Sequence, residues 1–147
     1  MNIDQLRKEI EIDEGKKDYI YLDHLGYPTF GIGHLITRED PEYNKPVNTY
    51  ISEERIIEAF NEDISIVLKN CERLYPDFYD LPEEAQLIIA NMMFNLGYSG
   101  LAAFKNMKKA VDERNWLKAS YEMMNSKWYN QVNNRAQRLV NRIRSIK

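Results

Sequence analysis

The chain has 147 residues, enough for one domain that buries about 68–70% of the surface its unfolded form exposes. Its composition, 44% hydrophobic and 29% charged, excludes a disordered or collagen-like chain, and its one cysteine, Cys71, excludes a disulfide scaffold. The net charge of -3 is unevenly distributed, because from Phe104 onward 11 Lys and Arg face 3 Asp and Glu, against 9 and 20 before it.

The first predicted element is a helix near the N-terminus. Ile3, Leu6 and Ile10 recur at near-helical spacing, and Gly15 is typical of a residue that ends a helix. Glu14 is therefore expected at the C-terminal end of this helix.

A small antiparallel hairpin is predicted next. Residues 19–22 and 27–32 are rich in aromatic and β-branched side chains and flank a turn-like segment at 23–26. Pro28 is expected on an edge strand, where the missing N–H is tolerated. Residues 38–50, with two prolines and two asparagines, indicate a loop.

A long helix of about 20 residues is predicted to begin at Ser52 and to link two lobes. Its predicted apolar stripe comprises Ile57, Phe60, Ile64, Val67 and Cys71.

Further helices follow along the rest of the chain. Pro82 suits the first turn of one helix, and Gly97 is expected to end it. The side chains expected to face inward there are Ala85, Ile88, Ile89, Met92 and Leu96. Helical periodicity resumes after Gly100, with Leu139, Val140 and Ile143 forming the last apolar face.

These elements predict an α+β protein with a small, hairpin-bearing N-terminal lobe and a larger helical C-terminal lobe joined by the long helix. We expect one domain over 1–147, with residues 13–60 in the N-terminal lobe and residues 1–12 and 61–147 in the helical lobe. The first helix is expected to pack on the helical lobe, because the sheet is too small to cover its apolar face.

Two carboxylates and one hydroxyl are the candidate chemical groups. Glycoside hydrolysis needs a protonated acid for the leaving oxygen and a second carboxylate that activates water or attacks the sugar. Glu14 and Asp23 are candidates on different elements, and Thr29 on the returning strand could aim a water.

Three segments of the chain carry a family resemblance: residues 12–15, residues 26–35, and residues 126–136 with Ser-Lys-Trp-Tyr-Asn-Gln followed by Asn-Arg-Ala. Their sequences, order and spacing closely resemble those of phage lysozymes of the T4 type. The resemblance runs from Met1 to about Arg144. It implies a two-lobed lysozyme-like fold and a muramidase that cleaves the β-1,4 bond between N-acetylmuramic acid and N-acetylglucosamine with inversion.

The resemblance also implies roles for individual residues. The implied catalytic set is Glu14, Asp23 and Thr29, with substrate contacts at Leu35 and Phe94. Positions Met107 and Glu122 depart from the polar substrate contacts of the T4 type, so no role is assigned to them.

Several other residues have an expected structural role. The family pattern pairs His34 with Asp63 across the lobes, and Arg135 is a candidate ion-pair partner that would hold the Glu14 carboxylate. Trp128 and Tyr129 are expected to pack in the core rather than to stack on sugars. Gly31 and Gly33 are expected to serve the backbone geometry of the hairpin.

The partner implied by the resemblance is the glycan strand of bacterial peptidoglycan. We expect no metal, because two histidines and one cysteine are too few for a metal centre. We also expect no cofactor, no nucleic-acid partner, no membrane insertion and a monomer. The first residues lack the apolar core of a signal peptide. The protein is therefore expected in the host cytoplasm when synthesised, and on the periplasmic wall after release through a separate holin.

Three alternative functions remain open from the sequence. A lytic transglycosylase needs the acid but not Asp23 and Thr29, whose joint presence favours hydrolysis. An inactive wall-binding module would not need all three catalytic residue types. A nucleic-acid binder would use the basic C-terminal third, but the chain lacks a recognisable binding motif and is acidic overall.

Overall fold

The computed structural model describes residues 1–147 and contains seven α-helices and a three-stranded antiparallel sheet. The α+β prediction is therefore confirmed. The helices are α1 Ile3–Glu14, α2 Glu53–Leu74, α3 Glu83–Ala102, α4 Lys105–Asp112, α5 Trp116–Met124, α6 Lys127–Gln131 and α7 Asn133–Arg144. The strands are β1 Lys17–Leu22, β2 Pro28–Gly31 and β3 His34–Leu35, and a 3₁₀ turn covers Phe78–Asp80.

The chain divides into two compact units. Residues 4–66 form the sheet-bearing unit, and residues 1–3 with 67–147 form the helical unit, so the chain passes from one to the other within α2. From Asp4 onward α1 belongs to the sheet-bearing unit, whereas the sequence analysis assigned residues 1–12 to the helical lobe. Apolar side chains of that unit, Ile57 and Phe60 on α2 and Ile32 after β2, line a pocket together with α1.

The strand order is β1-β2-β3, so β2 is the central strand and not an edge. Pro28 pairs with Leu22, and its carbonyl accepts a hydrogen bond from the Ile36 amide at 3.0 Å. The predicted edge position is wrong because β3 has only two residues, too few for alternation in the sequence to reveal it. Pro28 is tolerated as the first residue of its strand.

The long helix α2 begins at Glu53, where Ser52 Oγ accepts a hydrogen bond from the Arg55 amide at 3.2 Å. Its buried stripe starts at Ile56, while Ile57 is 49% exposed. The apolar stripe predicted from the sequence was therefore wrong by one position at this end. Further along the same stripe Cys71 is fully buried, and this burial raises the pKa of its thiol to about 12.

The helical unit is built around α3, whose residues 85–93 are all buried. Gly97 has φ 73°, so the chain turns there as predicted but then continues in helical form to Ala102. Leu139, Val140 and Ile143 of α7 are buried, as expected. No single helix is both long and apolar enough to cross a membrane, although α3 and α4 pass that criterion as a pair bent by 106°.

Candidate active site

Glu14 is the last residue of α1 and lies against the turn between β2 and β3. Gly15 adopts φ +78° and its amide donates to the Glu11 carbonyl at 2.8 Å, which ends the helix at Glu14. A methyl group on Gly33 would lie 2.7 Å from Glu14 Oε1, so a side chain at this position would displace the carboxylate from where it lies. Gly33 also has φ +63°, a conformation that glycine adopts without strain.

Asp23 is fixed by the tight turn that joins β1 to β2. Its Oδ1 accepts hydrogen bonds from the amides of Leu25 and Tyr27, both at 2.9 Å. The Asp23 amide in turn donates to the Tyr27 carbonyl at 2.9 Å. One carboxylate oxygen is therefore used to hold the turn, and Oδ2 is the oxygen available to a ligand or water.

Thr29 is buried on the central strand, between Tyr21 on β1 and Leu35 on β3. Its hydroxyl donates to the Tyr27 carbonyl at 2.9 Å. Because the proton of the hydroxyl is used in this bond, Oγ1 can only accept a hydrogen bond from a further group.

Tyr21 is a further residue of the site that was not predicted from the sequence. Burial and then the negative charges of Glu14 and Asp23 raise the pKa of the Tyr21 phenol. The charges of both carboxylates thus reach the same phenol, and Thr29 is the residue paired with Tyr21 across the strands. The two-residue alternation of β1 was the available signal for Tyr21.

The two predicted substrate contacts belong to different compact units. Leu35 is 50% exposed on β3, next to Thr29, whereas Phe94 is half-buried on α3. Arg135 is buried on α7, and its Nε donates to Asn91 Oδ1 at 2.8 Å. The roles of Leu35, Phe94 and Arg135, including the ion pair of Arg135 with Glu14, stay predictions.

His34 is held between two carboxylates. Its Nδ1 lies 2.8 Å from Asp63 Oδ2, and its Nε2 lies 2.8 Å from Asp40 Oδ2. Arg55 extends the network, with 3.0 Å contacts to Asp40 Oδ1 and to Glu42 Oε2. The expected contact of His34 with Asp63 is thus present, but both residues lie in the sheet-bearing unit rather than across the lobes, because that unit extends to Ile66.

The network shifts the pKa values of its members in opposite directions. Burial disfavours a charged imidazole, but the hydrogen bonds and charges of Asp63 and Asp40 outweigh it and raise the pKa of His34. Burial also opposes the Asp40 carboxylate, but bonds from the Thr37 amide and His34 outweigh it and lower its pKa. The network therefore stabilises the folded protein most at pH values between the lowered pKa of Asp40 and the raised pKa of His34.

We expect His34→Asn to destabilise the protein by about 3 kcal/mol at about pH 5, because it leaves two carboxylates without their shared cation. A histidine with a raised pKa stabilises the folded state fully at pH values below its unfolded-state pKa, near 6.5. This stabilisation is lost as the pH rises through the pKa of the folded state. The gap in melting temperature between parent and variant should therefore narrow toward about pH 9. Equal melting temperatures of parent and variant at about pH 5 would show that a charged His34 does not stabilise the network.

Two surface pockets lie elsewhere, and neither is lined by Glu14 or Asp23. One, of about 290 Å³, is the α1 pocket of the sheet-bearing unit described above. The other, of about 230 Å³ in the helical unit, is lined in part by Met107 and Glu122, the two positions to which the sequence analysis assigned no role. No group of three or more His, Cys, Asp or Glu is arranged to hold a metal ion.

The predicted core position of Trp128 is confirmed. Its side chain is 3% exposed, and its indole Nε1 donates to Asn95 Oδ1 at 2.7 Å. Phe104 packs edge-on against it with ring centroids 6.2 Å apart. A ring buried in this way has no face available for a sugar.

The sequence matches the family model described as phage lysozyme over residues 11–145. It is 30% identical to "Probable T4-type lysozyme 1" of Dictyostelium discoideum, covering 94% of this chain and 92% of that protein. It is 29% identical to "Pre-baseplate central spike protein Gp5" of Enterobacteria phage T4, over 87% of this chain and 25% of the other. It is also 30% identical to "Peptidoglycan hydrolase gp36" of Pseudomonas phage phiKMV, over 93% of this chain and 15% of that protein.

Proposed function

The chain belongs to the phage lysozyme family, and from this premise we propose that it cleaves the β-1,4 bond between N-acetylmuramic acid and N-acetylglucosamine with inversion. The coarser function is a lysozyme-type hydrolase of the bacterial cell wall, with peptidoglycan as substrate. The bond and the stereochemistry are the finer proposal, and the residues around Tyr21 support them.

The observation that carries the proposal is that the charges of two carboxylates, Glu14 and Asp23, both act on the phenol of Tyr21, the residue paired with Thr29 in the sheet. Glu14, at the end of α1, donates a proton to the leaving glycosidic oxygen. Asp23, at the hairpin turn, takes a proton from the attacking water. The inverting reaction requires the two carboxyl groups to stand far enough apart for a water beside the sugar, and Glu14 and Asp23 lie on different elements, a helix end and a turn.

The attacking water is held by two acceptors. Asp23 Oδ2 is available because Oδ1 already accepts two amide protons, and Thr29 Oγ1 accepts because its own proton goes to the Tyr27 carbonyl. A water that donates one hydrogen to each of these oxygens points a lone pair away from both. That lone pair is the nucleophile toward the anomeric carbon.

NMR of freshly released sugar ends tests the stereochemistry. Water that attacks opposite the leaving group of a β-linkage gives the α-anomer first, so we expect the α signal before mutarotation. An initial β-anomer would instead make Asp23 a nucleophile. Mass spectrometry of the fragments separates hydrolysis, which adds one water at each break, from a transglycosylase that leaves an anhydro sugar.

At the cellular level we propose that the protein acts as a monomer and lyses bacteria from the periplasmic side after holin-type release from the host cytoplasm. Purified protein should reduce the turbidity of outer-membrane-permeabilised Gram-negative cells. Folded protein that leaves the turbidity unchanged would refute this lytic role.

A further inference from the structure

Three tyrosines lie together on the sheet-bearing unit, and we call Tyr19, Tyr21 and Tyr50 the tyrosine row. Tyr19 and Tyr21 are on β1 with ring centroids 6.3 Å apart. Tyr50 joins them from the end of the loop through an antiparallel bridge to Tyr19. Opposite residues of an antiparallel bridge carry their side chains on the same face, so the three rings share one surface.

The row is exposed although its backbone is fixed. Tyr50 is 70% exposed and Tyr19 is 38% exposed, while Tyr21 is half-buried. Backbone hydrogen bonds on both sides of Tyr50 hold it in place, from the Ile20 amide to the Thr49 carbonyl at 3.0 Å and from the Ile51 amide to the Asp18 carbonyl at 2.8 Å. Adjacent exposed aromatic rings on a rigid strand are typical of a binding surface.

One end of the row is the candidate active site. Tyr21 lies opposite Thr29 in the register of the sheet, and its phenol is subject to the charges of Glu14 and Asp23. The other end, Tyr50, is the most exposed of the three rings. The row therefore extends continuously from the catalytic residues toward solvent.

A cation accompanies the rings. Lys17 Nζ lies 4.2 Å from the centroid of the Tyr21 ring, a cation–π distance. Aromatic rings pack against the apolar C–H faces of sugars, and a cation beside them attracts carboxylates. The tyrosine row and Lys17 therefore suit a sugar polymer that carries carboxylates. Peptidoglycan strands have this chemistry, since their stem peptides carry carboxylates.

We propose that the tyrosine row is a glycan-binding subsite that holds the peptidoglycan strand beyond the bond being cleaved. The Tyr19 and Tyr21 rings meet edge to face, with their planes inclined by 68°. Lys17 attracts the carboxylates of the peptides that the strand carries. This inference rests on the proposed function for its ligand, because peptidoglycan is the substrate proposed there.

Binding without turnover tests the row directly. In a Glu14→Gln background, co-sedimentation with purified peptidoglycan sacculi is compared for Tyr19→Ala, Tyr50→Ala and the double variant. Each lost ring should weaken binding by roughly two- to tenfold, the range of single aromatic contacts. Tyr19→Phe and Tyr50→Phe should bind nearly as the background does, because they keep the stacking ring.

Tyr79→Ala is the matched control, since Tyr79 is 51% exposed in the helical unit and outside the row. If the double variant fails to fold, Tyr50→Ala decides alone, because its ring is largely in solvent already. In the active background, the same variants should raise KM on sacculi by a similar factor and change kcat less than about twofold.

The outcomes separate the row from the proposed function. Row variants that sediment like the Glu14→Gln background, or a background protein that does not sediment at all, would overturn the subsite. Parent protein that binds through the row but releases no sugar ends would leave the subsite standing and refute the proposed hydrolysis.

Discussion

Glu14→Gln is expected to lower kcat on peptidoglycan by at least roughly 10²–10⁴-fold, the usual contribution of a general acid. The amide cannot supply the proton that the leaving oxygen needs. Its size matches the carboxylate, so it still fits against Gly33. Turnover of soluble peptidoglycan fragments, measured as new reducing ends, gives the rate.

Glu11→Gln is the matched control for this variant. It makes the same chemical change one helical turn earlier on α1, and Glu11 contributes its backbone carbonyl to the helix end in either form. The control should keep near-parent kcat, and both variants should keep the parent's melting temperature to within a few degrees. A Glu14→Gln protein that clears cells at a near-parent rate would rule out Glu14 as the acid.

Asp23→Asn should produce the second large loss, also roughly 10²–10⁴-fold in kcat, because an amide does not take up the proton of the attacking water. The asparagine keeps an Oδ1 that accepts from the Leu25 and Tyr27 amides, so the turn should survive. Substrate binding and thermal stability should therefore stay close to those of the parent. A variant that loses binding and turnover together would show a structural role for Asp23 instead.

Thr29 offers a graded comparison within the same prediction. Thr29→Val keeps the shape but removes the acceptor, and the Tyr27 carbonyl still receives the Asp23 amide. Thr29→Ser keeps the hydroxyl, so it should retain more activity than valine. Both losses should be smaller than that of Asp23→Asn, because Thr29 only orients the water.

Long-period patterns in the sequence predicted the helices well, and short-range packing explains the exceptions. The end of α1 at Glu14 followed from Gly15, whose left-handed φ is required there. The exposure of Ile57 was unexpected, because Ile56 and Ile57 are both apolar and only the packing of α2 selects one of them. The two-residue strand β3 is too short to leave a periodic signal.

The candidate site shows the same division between local and long-range information. Glu14 and Asp23 follow from residue type and motif spacing within a short segment. The network around His34 does not follow from a local pattern, because Asp40, Arg55 and Asp63 come from a loop and a helix that only the folded chain brings together. Only its contact with Asp63 was expected, from the family pattern.

Aromatic residues illustrate why surface function is harder to predict than core packing. Trp128 was correctly expected inside, because core packing was favoured over sugar stacking at its position. The tyrosine row depends on a bridge between β1 and a loop residue about thirty positions later. Register of this kind is a tertiary property, and no local pattern encodes it.

The burial of Cys71 makes the protein a convenient background for site-specific labelling. A thiol whose pKa is about 12 is almost entirely protonated at neutral pH, and its fully buried sulfur is shielded from maleimides as well as from oxidants. Cysteines introduced at exposed Leu25 and Leu117, one in each compact unit, would then carry two spin labels without removal of the native residue. Distance distributions between those labels, measured with and without glycan, would test whether glycan binding changes the spacing of the two units.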